Sequence, residues 1–169
     1  MFFRNNPNNL RDEIIDRQAY EKELQSFQAS CLSKSEDYLS ICSKLGELYR
    51  IDGQNEEAKR ILRSVLTDLG SMPNQKLECL TELRLAITFQ YDGDFENSLN
   101  LFEKLEYEPI EEFESFVYQH RGKLEFEMGN FWMAIHYLER ARRLRLNKPE
   151  LLESTEIAIH RVKKELRLR

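Results

Sequence analysis

Three times along the chain a small residue is followed four positions later by a bulky apolar one, and three positions after that by another apolar one. The sets are Ala58, Leu62 and Val65; Ser98, Phe102 and Leu105; and Ala134, Leu138 and Ala141. They begin 40 and 36 residues apart. Five residues before each set stands a glycine (Gly53, Gly93, Gly129), and twelve before stands a further small residue (Gly46, Ala86, Gly122). Spacings of four and three mark one face of an α-helix. Self-similarity at a period of this size belongs to stacked supersecondary units, none of which buries its apolar face alone. A chain of 169 residues with this pattern is therefore a short array of helix pairs rather than one irregular core. Arrays of this kind mostly bind other molecules along an extended surface.

The remaining sequence reads as helix. It has six Gly and four Pro against 33% charged residues, a composition that favours helix. Residues 11–31 are expected to form a first helix, with Asp12 and Glu13 in its first turn and Tyr20, Leu24, Phe27 and Cys31 as its stripe. Ser33 or Ser35 is placed to cap the next. Three pairs follow: 36–51 with 55–69, 76–91 with 95–106, and 110–128 with 131–146, each broken by a Gly-containing turn. Pro149 opens a last helix with Leu152, Thr155, Ile159, Val162 and Leu166 as its stripe and Arg161, Lys163, Lys164, Arg167 and Arg169 crowding its end. No segment alternates apolar and polar residues as a hairpin would. The expectation is all-α, eight helices and no sheet: a mobile polar arm over 1–10, without the features of a secretory signal, and a single helical-repeat domain over 11–169.

The register resembles the tetratricopeptide repeat, a helix–turn–helix unit with small residues where its helices cross. The family's characteristic positions read Cys42, Leu45, Gly46, Tyr49, Ala58, Leu62 and Val65 in the first unit. In the second they read Glu82, Leu85, Ala86, Phe89, Ser98, Phe102 and Leu105, and in the third Tyr118, Arg121, Gly122, Glu125, Ala134, Leu138 and Ala141. Glu82, Arg121 and Glu125 stand where apolar residues belong, and Leu124 and Phe126 flank the third-unit break and are expected to replace them by a small rotation. The resemblance implies a right-handed superhelix of three repeats, about 36–70, 76–108 and 110–146, flanked by the first helix and a capping helix over 149–169. It also implies that ligands lie along the first helix of each pair. That surface would show Ser40, Ser43, Glu47 and Arg50, then Leu80, Leu83, Ile87 and Gln90, then Phe116, Gln119, Lys123 and Phe126. The carboxylate clamp of some co-chaperone members has no counterpart here, since its positions read Ser43, Glu47, Arg84, Phe116 and His120. Leu80, Leu83 and Ile87 form a second apolar stripe beside Leu85, Ala86 and Phe89. It either faces a peptide, lies under the chain's own N-terminal helix, or serves self-association.

Charge and chemistry bound the function. Net charge is −5, with acid concentrated over 92–114, where Asp92, Asp94, Glu106, Glu108, Glu111, Glu112 and Glu114 form a candidate surface for a basic partner. Arg140, Arg142, Arg143 and Arg145 form a basic cluster without interleaved aromatics, so nucleic acid is disfavoured. His120, His136 and His160 lie on three different helices, and no nucleotide or nucleophile motif occurs. No enzyme activity, cofactor or metal is expected, and no stretch is apolar enough for a membrane span. Cys31, Cys42 and Cys79 lack ligand spacing and read as reduced thiols of a cytoplasmic protein. The expected function is a protein-interaction adaptor or dedicated chaperone that holds a peptide or helix in the concave groove. An immunity- or antitoxin-type inhibitor acting through the acidic surface is the alternative, and RNA binding through the basic C-terminal helices the third.

Overall fold

A computed structural model describes residues 2–32 and 37–167. In chain order the elements are β1 Phe3–Asn5, β2 Asp12–Ile14, α1 Arg17–Leu32, α2 Tyr38–Ile51, α3 Asn55–Leu69, α4 Gln75–Asp92, α5 Phe95–Tyr107, α6 Glu111–Glu127, α7 Phe131–Leu144 and α8 Pro149–Arg167. The protein is all-helical apart from two short strands. The capping role expected of Ser33 or Ser35, and the place of Arg169 at the last helix end, fall outside the described residues. Two compact units form, one from Met1–Arg4 and Asp12–Leu101, the other from Asn5–Arg11 and Phe102–Arg169.

In the first unit α2 and α3 cross where Gly46 faces Leu62. A Cβ on Gly46 would lie 2.7 Å from Leu62 Cγ, so only a glycine lets the helices approach this closely. Ala58, Leu62 and Val65 are buried at the crossing, and Leu62 also packs with Leu85 and Phe89 of α4. Ala86 and Ser98 occupy the equivalent places in the second register, where the buried Ser98 hydroxyl donates to the Ala86 carbonyl at 2.8 Å. The turn between paired helices is the same at each recurrence. Gly53, Gly93 and Gly129 hold φ of +77°, +81° and +81°, the left-handed conformation that ends a helix at little cost only in glycine. Their amides donate to the carbonyls of Arg50, Gln90 and Phe126 respectively.

Two expectations for the N-terminal part need correction. The first helix begins at Arg17 rather than residue 11, because the start signal is Asp16, whose Oδ1 accepts the Ala19 amide at 3.0 Å. Asp12 and Glu13 belong instead to β2, which pairs with β1 in a sheet where none was expected. The strands have no apolar alternation. Their connection is fixed by asparagine side chains: Asn6 Oδ1 accepts the Asn8 amide at 2.9 Å and Asn9 Oδ1 the Arg11 amide at 3.0 Å, an Asx-turn chemistry. The unpaired thiols are a third correction. Cys31 and Cys42 form a disulfide joining α1 to α2, with Cα atoms 5.7 Å apart, a separation suited to the bond. Cys79 is buried and lies outside the disulfide. Sequence spacing carried no sign of this bridge because the approach is made between helices. Near its other end α1 buries Tyr20, whose hydroxyl donates to the Leu48 carbonyl at 3.0 Å.

In the second unit α6 and α7 repeat the crossing, with Gly122 facing Leu138; a Cβ there would lie 2.7 Å from Leu138 Cγ. Ala134 and Leu138 also pack with Ala158, Ile159 and Val162 of α8, and Leu10 enters the same cluster. Leu124 is fully buried and Phe126 packs against this core from a half-buried position.

Candidate interaction surface

In the first unit, the inward faces of α2 and α4 carry polar groups at positions where a simple bundle would bury aliphatics. Arg50 is 3% exposed. Its Nη2 donates to Asp12 Oδ2 at 2.8 Å, and its guanidinium lies over the Tyr91 ring, 4.5 Å from the centroid. The Asp12 amide donates to the Tyr91 hydroxyl at 2.5 Å. Nearby, Arg84 donates to Glu47 at 3.0 Å and to Ser43 at 2.9 Å, and Lys44 donates to Glu47 at 3.0 Å. Burial pushes the Glu47 carboxyl up, but Arg84, Lys44 and Arg50 outweigh it and hold it below the usual range. Burial pushes Tyr91 up to about 12, so its phenol stays neutral. Gln90, Leu83 and Ile87 are buried and Leu80 is half-buried.

In the second unit, α6 carries the other expected residues. Lys123 is buried and its Nζ donates to Asn5 Oδ1. Gln119 is 2% exposed, and neither atom of its amide has a hydrogen-bond partner. Phe116 lies beneath the Arg145 guanidinium at 4.9 Å, and Phe126 beneath Arg161 at 5.1 Å. Arg11 binds Glu127 through two bonds of 3.0 and 2.7 Å.

The charged stretches are engaged internally more than their sequence suggests. Asp92 pairs with Lys59 at 2.6 Å, and Asp94 Oδ1 accepts the Asn97 amide at 3.2 Å at the start of α5. Glu114 accepts from the Tyr118 hydroxyl at 2.9 Å. Glu106 is half-buried, accepts from Tyr137 at 3.2 Å and has its carboxyl pushed up chiefly by desolvation. Glu108, Glu111 and Glu112 are exposed. Among the arginines, Arg140 stacks on Tyr118 at 3.9 Å and Arg142 pairs with Glu156 at 2.7 Å. Arg145 does not lie on a solvated face. It is 1% exposed, donates to Thr155 Oγ1 at 3.0 Å, and burial brings its pKa down to about 10. Arg143 is the exposed member of the four.

Asp12, Tyr91, Asn5 and Leu10 escaped the sequence reading. The one available signal was the NPNN cluster at 6–9, a turn signature between two short segments. Among the described residues, no group of three or more His, Cys, Asp or Glu is placed to hold a metal, and no helix is long and apolar enough to cross a membrane. No protein-family model matches the chain, and no curated protein matches it either.

Proposed function

We propose that the chain is a tetratricopeptide-like adaptor, a right-handed superhelix of three repeats that binds an extended peptide of a protein partner along the first helices of its pairs. One observation carries the reading. In each unit a first-helix residue already holds a strand residue: Arg50 of α2 binds Asp12 of β2 in the first, and Lys123 of α6 binds Asn5 of β1 in the second. Backbone and side-chain groups of an extended chain are what a peptide groove recognises. The acidic-surface alternative has less behind it, since Asp92, Asp94, Glu106 and Glu114 are used internally. The RNA alternative loses Arg145 to the interior. A cytoplasmic location leaned on unpaired thiols, and the Cys31–Cys42 bridge removes that support, so no compartment is proposed.

The test is site-specific photo-crosslinking. A photoreactive residue at exposed Ser40 on α2 should capture a discrete protein partner, and one at exposed Arg63 on α3 should not. Equal capture at both positions, or none at Ser40, would overturn the reading.

A further inference from the structure

We propose that Asp12 is a resident, displaceable carboxylate, and that Arg50 with Tyr91 forms a site for an aspartate or glutamate on an extended segment of a partner. The partner rests on the adaptor reading; the site does not. Arg50 is buried, yet Nε and Nη1 are enclosed without a hydrogen-bond partner while Nη2 alone reaches Asp12. A guanidinium presents a planar fork that a carboxylate can meet with two parallel bonds. The resident therefore uses less than the site offers, and unmade bonds of a buried charged donor are expensive. Glu47 does not supply them, being bonded to Arg84 and Lys44.

The site recognises a residue within a chain rather than a free anion. Arg50 takes the side chain of Asp12 while the Tyr91 hydroxyl takes its backbone amide. An acidic residue in extended conformation satisfies both. The ribbon that carries the resident adds little hold by its own pairing. β2 has three residues and one three-residue partner strand, and two-stranded ribbons are marginal by themselves. Leu10, two positions earlier, holds φ of +62°, an unfavourable value for a branched aliphatic. Ile15, next after β2, is 54% exposed.

The probe is a fluorescent peptide of residues 8–16 (NNLRDEIID), titrated by anisotropy into the full chain. It should bind the Asp12→Asn variant at least tenfold more tightly than the wild type, where the resident competes. The same peptide carrying Asp12→Asn should bind that variant at least tenfold more weakly, and adding Arg50→Met to the protein should abolish binding. Equal affinity for wild type and variant, indifference to the peptide's aspartate, or no binding would overturn the site. Circular dichroism establishes that the variant is folded. If it is not, hydrogen exchange of the wild type decides. Amides of 12–14 exchanging at least tenfold faster than those around Leu62 support displacement, and equal protection overturns it. A positive titration with failed crosslinking at Ser40 removes the adaptor and keeps the site; the reverse keeps the adaptor and removes the site.

Discussion

The α2–α3 and α6–α7 pairs cross at the same kind of point and surround it with different chemistry. In both, a glycine faces a leucine at a distance no Cβ would tolerate. Beside Gly46 stand Leu45 and Tyr49, an aliphatic and an aromatic residue. At the same register beside Gly122 stand Arg121 and Glu125, both buried. Arg121 donates to Glu125 at 3.0 Å and lies over the Tyr137 ring at 5.2 Å, and Asn130 donates to the second Glu125 oxygen at 2.8 Å. The close approach of backbones thus defines the pair, and the neighbouring volume accepts either apolar side chains or a buried ion pair. What differs is the consequence of damage. An apolar filler loses its own transfer energy and leaves a cavity, whereas a broken buried pair leaves an uncompensated charge.

That contrast yields the largest expected effect. Glu125→Ala leaves Arg121 facing only Glu106, whose oxygen is 3.8 Å away, and should destabilise by about 3–5 kcal/mol in urea unfolding. Replacing both members, Arg121→Leu with Glu125→Met, should restore stability to within about 1 kcal/mol of wild type or raise it. Leu45→Ala should cost about 2–5 kcal/mol with no such two-residue rescue. A double replacement as damaging as the single one would show that the pair specifies the crossing rather than filling it.

The disulfide sharpens the comparison next, because it lies only in the unit of α2 and α3. Reduction by dithiothreitol, or Cys31→Ser with Cys42→Ser, should lower stability by about 2–4 kcal/mol. Hydrogen exchange should show protection falling in α1 and α2 while α6–α8 keep theirs. A uniform loss would mean that the bridge stabilises more than the unit containing it.

What was readable from the residues follows the same division between backbone and filling. Gly46, Gly122 and the three turn glycines are forced by geometry, and residues forced by geometry recur in register. The helix pairs and their turns were legible for that reason, and α8 was legible from its own stripe, of which Thr155, Ile159 and Val162 are buried. Arg121 and Glu125, four residues apart, look like any solvated helix pair, and only packing shows them buried. Arg145 looked like part of an exposed basic cluster for the same reason. The β1–β2 ribbon was hidden because asparagine side chains, not strand alternation, define it. Asp12 was then assigned to a helix turn, and the contact it makes with Arg50 went unseen. The acidic stretch was legible in charge but not in use, since Asp92 and Glu106 each meet a cation of their own unit.

The smallest effect concerns pH, and one carboxylate from each unit, Glu47 of α2 and Glu106 of α5, should differ in sign. Glu47 lies below the usual carboxylate range because its cations outweigh burial. Its contribution is present above the unfolded glutamate value of 4.5 and is lost as pH falls from there through the lower folded value. Glu106 lies above that range because desolvation dominates. Its protonated form favours folding, so its contribution is full below pH 4.5 and lost as pH rises through the higher folded value. Glu47→Gln should lower stability at pH 7 and reduce sensitivity to acid, while Glu106→Gln should raise stability at pH 7. Matching signs in pH-resolved urea unfolding would contradict the contrast.

The central claim is that two close helix crossings, one in each unit, organise the chain, and a pair of double-mutant cycles tests it most directly. Gly46→Ala and Gly122→Ala should each destabilise by about 1–3 kcal/mol through overpacking, despite alanine's better helix propensity. Each should be partly relieved when the facing Leu62 or Leu138 is also shortened to alanine, giving a coupling of about 0.5–3 kcal/mol. Coupling of that size in both units is the predicted result. Additivity within about 0.5 kcal/mol, or stabilisation by the glycine replacements alone, would contradict the account.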